Sequence, residues 1–261
     1  MEILLLKLCL APLLVVGSTV AGRRWGADVA GILVGLPIVA GPILFVTHLL
    51  HGPRFTAGAA GASLFGLVAL AVFAVVFARV AGRSGWLVTT AVSWVAVLVV
   101  DAALSFVRVW TVVAFVVAVA AAAVASSLMP PVGPDAGVAR RPSWDLPGRA
   151  VATALLVLAV TTASGALGPQ WTGLLAPFPV ATSVVAGFVH AQQGAPATVR
   201  TLAGVLLGLF SFAVFCLLVA VFVERMGGVA FPVAAAVTVV AQLVVVRVRR
   251  WWWGKGVAGR W

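Results

Sequence analysis

Residues 31–50 read GILVGLPIVAGPILFVTHLL, and residues 173–192 read GLLAPFPVATSVVAGFVHAQ. Each run is apolar and about the roughly 20 residues that a bilayer-crossing helix needs. Each carries proline near its middle and histidine towards its end. Pro37 and His48 stand 142 positions before Pro179 and His190. The same shift carries Gly52, Thr56, Gly66, Phe73, Arg83 and Gly85 onto Gly194, Thr198, Gly208, Phe215, Arg225 and Gly227 without a gap. Matches among Ala, Val and Leu are cheap in so apolar a chain. Matches at Pro, His, Gly and Arg are not, so the chain reads as a duplication.

Composition fixes the class. The 261 residues are 63% hydrophobic and 9% charged, with mean hydropathy +1.20. A soluble domain carries roughly 25% charged and about 45–50% apolar residues. The expected class is therefore all-α integral membrane. A β-barrel needs alternating polarity along strands of about 10 residues, and stretches such as 109–125 do not alternate. The net charge of +11 does not indicate nucleic acid. The Lys and Arg fall in short loops and at the C-terminus, as the positive-inside rule requires. Cys9 and Cys216 lie in separate apolar runs, so neither a disulfide nor a metal site is expected, and no cofactor is implied. Several of the Trp residues, Trp25, Trp86, Trp171 and Trp251 to Trp253 among them, fall at span ends, where interfacial aromatic belts sit.

The hydropathy reads as nine spans, approximately 3–21, 28–49, 56–78, 86–104, 107–127, 149–167, 171–191, 199–222 and 229–246. A signal peptide at the start is disfavoured, because Glu2 replaces a basic leader and the run aligns with the internal stretch 145–163. Residues 130–148, PPVGPDAGVARRPSWDLPG, cannot continue a helix. They separate a first copy of five helices (1–129) from a second copy of four (149–246). A basic, Trp-rich tail follows (247–261).

An odd number of spans in the first copy places the second upside down relative to it. Such inverted-topology repeats build many secondary transporters. With the N-terminus outside, Arg23, Arg24, Arg79, Arg83, Arg140, Arg141, Arg149, Arg200 and the basic tail fall on the cytoplasmic side. Only Lys7, Arg54, Arg108 and Arg225 fall outside. The expected location is a bacterial-type inner (plasma) membrane, with the C-terminus cytoplasmic.

Mid-membrane prolines remove a backbone hydrogen bond and clash with the preceding turn. They are tolerated where the freed groups face protein or a cavity. Paired breaks in corresponding halves point to a transporter's binding site. The expected site is Gly35, Pro37, Gly41 and Pro42 with Pro177, Pro179, Thr182 and Ser183. The alternative is a pair of kinked packing helices. His48 and His190 lie about 11 residues, roughly 16 Å, beyond the repeated prolines. They read as gates on opposite faces or as interfacial histidines. Asp101 is an intramembrane carboxylate near Arg108, a coupling group or half of an ion pair at a hairpin end. Gly58, Ala62 and Gly66, like Gly204 and Gly208, suit close helix packing. Gln242 suits a hydrogen bond to a neighbouring helix or to solute.

No catalytic motif is present: no HExxH, no Walker loop and no ordered Ser, His and Asp set. The leading expectation is a non-enzymatic secondary transporter of a small organic solute, surrounded by membrane lipids and working by alternating access. The alternatives are a flippase-type carrier of lipids or lipid-linked sugars and a non-transporting scaffold. The five-plus-five inverted plan is similar to that of drug/metabolite-type exporters and bile-acid-symporter-type carriers, in architecture only.

Overall fold

A computed structural model describes residues 2–38, 40–107, 110–131, 144–167 and 178–257. Among them the secondary structure is helical. The α-helices are α1 (Glu2–Trp25), α2 (Ala27–Gly35), α3 (Ala40–Val80), α4 (Trp86–Leu104), α5 (Thr111–Leu128), α6 (Asp145–Leu167), α7 (Val180–Met226) and α8 (Ala230–Val257). Four segments of these residues are long and apolar enough to cross a membrane: 27–80, 86–104, 111–128 and 180–248.

The outer surfaces support that reading. Leu87, Val95, Val116, Val239 and Leu243 are each more than half exposed. The opposite faces of the same helices are buried and small or polar: Thr89, Ser93 and Val97 on α4, and Ala114, Ala118, Ala122 and Ala125 on α5. Large apolar groups outside and small ones between helices is the arrangement lipid selects. Phe73, Phe77, Leu64, Leu202, Leu206 and Leu209 fill the centre, where α3 and α7 meet.

Three segments differ from the sequence reading. The expected second span is two helices, interrupted over Leu36–Ile38. Leu36 is extended (φ −78°, ψ 154°), as steric clash with a following proline ring dictates. The helix restarts at once, with the Gly41 amide donating to the Pro37 carbonyl at 2.8 Å. Secondly, α6 starts at Asp145, inside the stretch read as linker. An acid in the first turn and Pro147 just after it both suit a helix N-terminus. Residues 132–143 of that linker lie outside the described residues. Thirdly, α8 continues to Val257, through residues read as a tail.

The stretches read as gaps near residues 50–55 and 192–198 are not loops. In α3 and α7 the helix is broken at a single residue, Gly52 (φ 79°, ψ 177°) and Gly194 (φ 79°, ψ −177°). This region of backbone space is essentially glycine-only. Each break is closed in the same way. The Thr56 hydroxyl donates to the Gly52 carbonyl and the Thr198 hydroxyl to the Gly194 carbonyl, both at 2.9 Å.

At Gly52 the chain doubles back. Gly31, Gly35 and Gly41 meet Thr201, Val205 and Phe215 in turn, so α2 and the first arm of α3 (40–51) run alongside the second arm of α7 (195–226) in the same direction. The second arm of α3 (53–80) instead ends with Phe77 against His190, just before the second arm of α7 begins. It therefore runs the other way. The end of α1 meets the start of α6 through Arg23 and Asp145, so these two also lie antiparallel.

Candidate functional site

The break at Pro37 faces an apolar groove of about 470 Å³. Pro37, Gly41, Pro42 and Phe45 form one wall, and Phe231, Pro232 and Thr238 of α8 form the other. Phe215 of α7 lies between them. A methyl group on Gly41 would stand 3.3 Å from the Phe215 ring, so glycine lets that ring reach the groove. Phe45 and Phe231 meet edge to face at 5.2 Å between centroids, and His48 lies 5.9 Å from the Phe231 ring. Beyond Thr238 the Ser211 hydroxyl donates to Gln242 Oε1 at 2.6 Å. The other amide atom, Gln242 Nε2, is buried without a hydrogen-bond partner.

Residues 168–177 lie outside the described residues. At Pro179, where α7 begins, the same hydrogen bond recurs, with Ser183 N donating to the Pro179 carbonyl at 2.7 Å. Its surroundings differ. Thr182 and Ser183 are both buried. Trp94 of α4 packs edge to face on Phe178 at 5.6 Å, and its indole Nε1 donates to the Ser183 hydroxyl at 2.8 Å. Under the 142-residue shift Phe178 corresponds to Leu36, Ser183 to Gly41, and Trp94 to Ala236. The indole of one half is thus matched in the other by an alanine that is exposed on α8 next to the lining residue Ala235.

These placements divide the expected site. Pro37, Gly41 and Pro42 line the groove, whereas Thr182 and Ser183 are packed away from it, and Pro179 caps α7. Gly35 does not line it either. It lies against α7, where a Cβ would stand 3.0 Å from the Gly208 Cα. Gly31, Gly204 and Gly208 make the same backbone-to-backbone contact, so the close-packing glycines of span eight meet the broken second span. Pro177 and Arg108 lie outside the described residues. Asp101 is buried on the Thr89, Ser93 and Val97 face of α4. His190 packs edge to face on Phe77 at 6.0 Å. The Nδ1 atoms of His48 and His190 are both buried without a hydrogen-bond partner among the described residues.

A polar cluster joins α1, α6 and α7. The Asp145 carboxylate, 1% exposed, accepts from Arg23 Nη2 at 2.6 Å, Arg149 Nε at 2.8 Å and Gln192 Nε2 at 2.7 Å. The Arg149 guanidinium also lies over the Phe188 ring, 5.0 Å from its centroid. Burial acts to raise the Asp145 carboxyl. Hydrogen bonds from Arg149, Gln192 and Arg23, with the Arg149 charge, outweigh it and hold the group below the usual carboxylate range. Sequence reasoning placed Arg23 and Arg149 in cytoplasmic loops and missed this cluster. The available signal was an acid and a base spaced i, i+4 at a helix start. Trp94 was missed as well, and the signal for it was the repeat itself, which sets Trp against Ala. No protein-family model, no curated protein and no solved structure matches this chain.

Proposed function

We propose that this protein is a secondary transporter that carries a small organic solute, without converting it, by alternating access between two related bundles inserted in opposite senses. One observation carries the reading. Two matched prolines, each accepting a hydrogen bond from the amide four residues on, lie in opposite environments, Pro37 on an open groove and Pro179 beside the Phe178 and Ser183 that Trp94 contacts. Alternating access needs just such a pair, one path open while its counterpart is closed.

Several features support the inverted arrangement and the nine crossings. The matched helices α1 and α6 are antiparallel, as are the second arms of α3 and α7. The breaks at Gly52 and Gly194 turn each of two long helices into two crossings. With the N-terminus outside, the groove faces the outer side. Trp94 and the Asp145 cluster close the cytoplasmic side. Asp101 is a candidate coupling carboxylate, and His48 and His190 are candidate gates.

A flippase-type reading draws on a different observation. The groove's rim residues Ile38 and Val239 are exposed at 42% and 60%, so the groove opens sideways towards lipid. A lipid headgroup would need a continuous polar track. Thr238 is the polar residue of the lining, and its hydroxyl is already donated to the Ala234 carbonyl at 2.7 Å. The solute-carrier reading is therefore preferred. A scaffold has no use for mirrored breaks, one open and one filled.

The test is reconstitution into liposomes with a panel of neutral and charged solutes at two pH values. Pro37→Ala and Pro179→Ala should each reduce uptake several-fold more than they reduce membrane expression. Equal loss of both would assign the prolines to packing. Asp101→Asn should remove the pH dependence of uptake, and an unchanged profile would end the coupling role.

A further inference from the structure

Gln242 is 8% exposed and its Nε2 has no partner among the described residues. A buried amide donor without an acceptor is costly, and such groups demand an explanation. Its position supplies one. Gln242 lies one helical turn beyond Thr238, which lines the groove, roughly 6 Å further along α8. Ser211, its hydrogen-bond partner, lies one turn before Phe215, which also lines the groove. The spare donor thus lies one turn beyond the inner end of a channel lined by carbon apart from the Thr238 hydroxyl, and Gln242 is not itself a lining residue. From Phe231 to Thr238 that channel runs roughly 10 Å. No ionised side chain lines it, and a charged solute there would be desolvated without a counter-charge.

We infer that the groove takes an elongated, uncharged amphipathic molecule whose apolar body lies between the Pro37–Phe45 and Phe231–Thr238 walls and whose carbonyl oxygen accepts a hydrogen bond from Gln242 Nε2. This deepens the carrier reading and rests on it for the premise that the groove is a solute site. The repeat adds an independent handle. Ala236, next in sequence to the lining residue Ala235, corresponds to Trp94, and Ala236→Trp supplies there the indole that packs on Phe178 and Ser183 in the other half.

The test uses the full chain in lipid nanodiscs and a diazirine-bearing analogue of methyl decanoate, with labelled peptides mapped by mass spectrometry. Label should concentrate on residues 36–45 and 231–239. Unlabelled methyl decanoate should compete about three- to tenfold better than decane, the worth of one hydrogen bond within a membrane protein. Gln242→Leu should abolish that preference while leaving decane competition unchanged. Ala236→Trp, at an exposed position, should suppress labelling of both segments. Equal competition by ester and hydrocarbon in the native chain would overturn the inference, as would a preference that survives Gln242→Leu or label centred on Trp94. Labelling reads binding alone. Ester-selective labelling without transport in liposomes would remove the carrier reading and leave the ligand class standing.

Discussion

Asp145 shows how much a single side chain can organise here. Its carboxylate gathers a guanidinium from α1, another from α6 and an amide from α7. Paired buried charges are costly to split, because the partner left behind stays desolvated. Its pKa is depressed in the folded chain. The stabilisation is therefore complete above the ordinary carboxyl value of about 3.9, and it is lost as pH falls through the lowered value. Thermal unfolding of the purified chain should be flat from neutral pH down to about 4 for this group and should fall below that. Asp145→Asn should cost about 3 kcal/mol at neutral pH, since Arg149 retains its contact with Phe188 and Arg23 is partly exposed. The variant should also lack Asp145's share of the acid loss. An unchanged acid slope would show that the cluster adds nothing to stability.

At the scale of the element, glycine does two separable jobs. Gly52 and Gly194 hold the same rare backbone angles, so Gly52→Ala and Gly194→Ala should each cost about 1–3 kcal/mol of strain, and by similar amounts. Gly208 has ordinary angles but no room, since a Cβ would stand 2.7 Å from the Gly35 backbone. Gly208→Leu should separate α2 from α7 and lower the melting temperature more than either turn variant. A ranking with the turn variants worst would contradict the close packing. These helices also show what a sequence can reveal. Pro37 fixed its break in advance, because the restriction on the residue before proline is local and covalent. The apolar outer faces were legible for the same reason, as averages over many residues. The reversals at Gly52 and Gly194 were not read as helix breaks, since a lone glycine flanked by polar residues looks like any short loop. The Asp145 cluster and the Ser211–Gln242 pair join residues far apart in the chain, and a single sequence carries no record of such contacts. The site was half legible. The Pro37 wall was foreseen, but the α8 wall and the filling of the Pro179 side depend on which side chain reaches across.

At the scale of the molecule, the matching backbone angles at Gly52 and Gly194 make the differences between the two stretches of sequence meaningful. Trp94 against Ala236 is one, and Asp145 with Arg149 against Ile3 and Lys7 is another. Under the proposed alternating access, both favour the arrangement with the Pro179 side closed. Two-state exchange then makes a reciprocal demand, that whatever opens one side must close the other. Trp94→Ala removes a half-buried indole and its hydrogen bond to Ser183, a loss of about 3 kcal/mol from the closed side. That shifts a two-state balance roughly a hundredfold. Accessibility can be read with single cysteines at matched positions, Phe45→Cys beside the groove and Gly187→Cys on the Trp94 side, in a chain carrying Cys9→Ser and Cys216→Ala. A membrane-impermeant maleimide applied from the outside should label Phe45→Cys, and applied from the cytoplasmic side should scarcely label Gly187→Cys. Adding Trp94→Ala should raise labelling of Gly187→Cys and, in the same preparation, lower that of Phe45→Cys. If labelling of Gly187→Cys rises while that of Phe45→Cys holds steady, the two breaks open independently and the protein has two clefts without a rocking core. If both positions label from one side only, the halves share an orientation and the duplication serves packing alone.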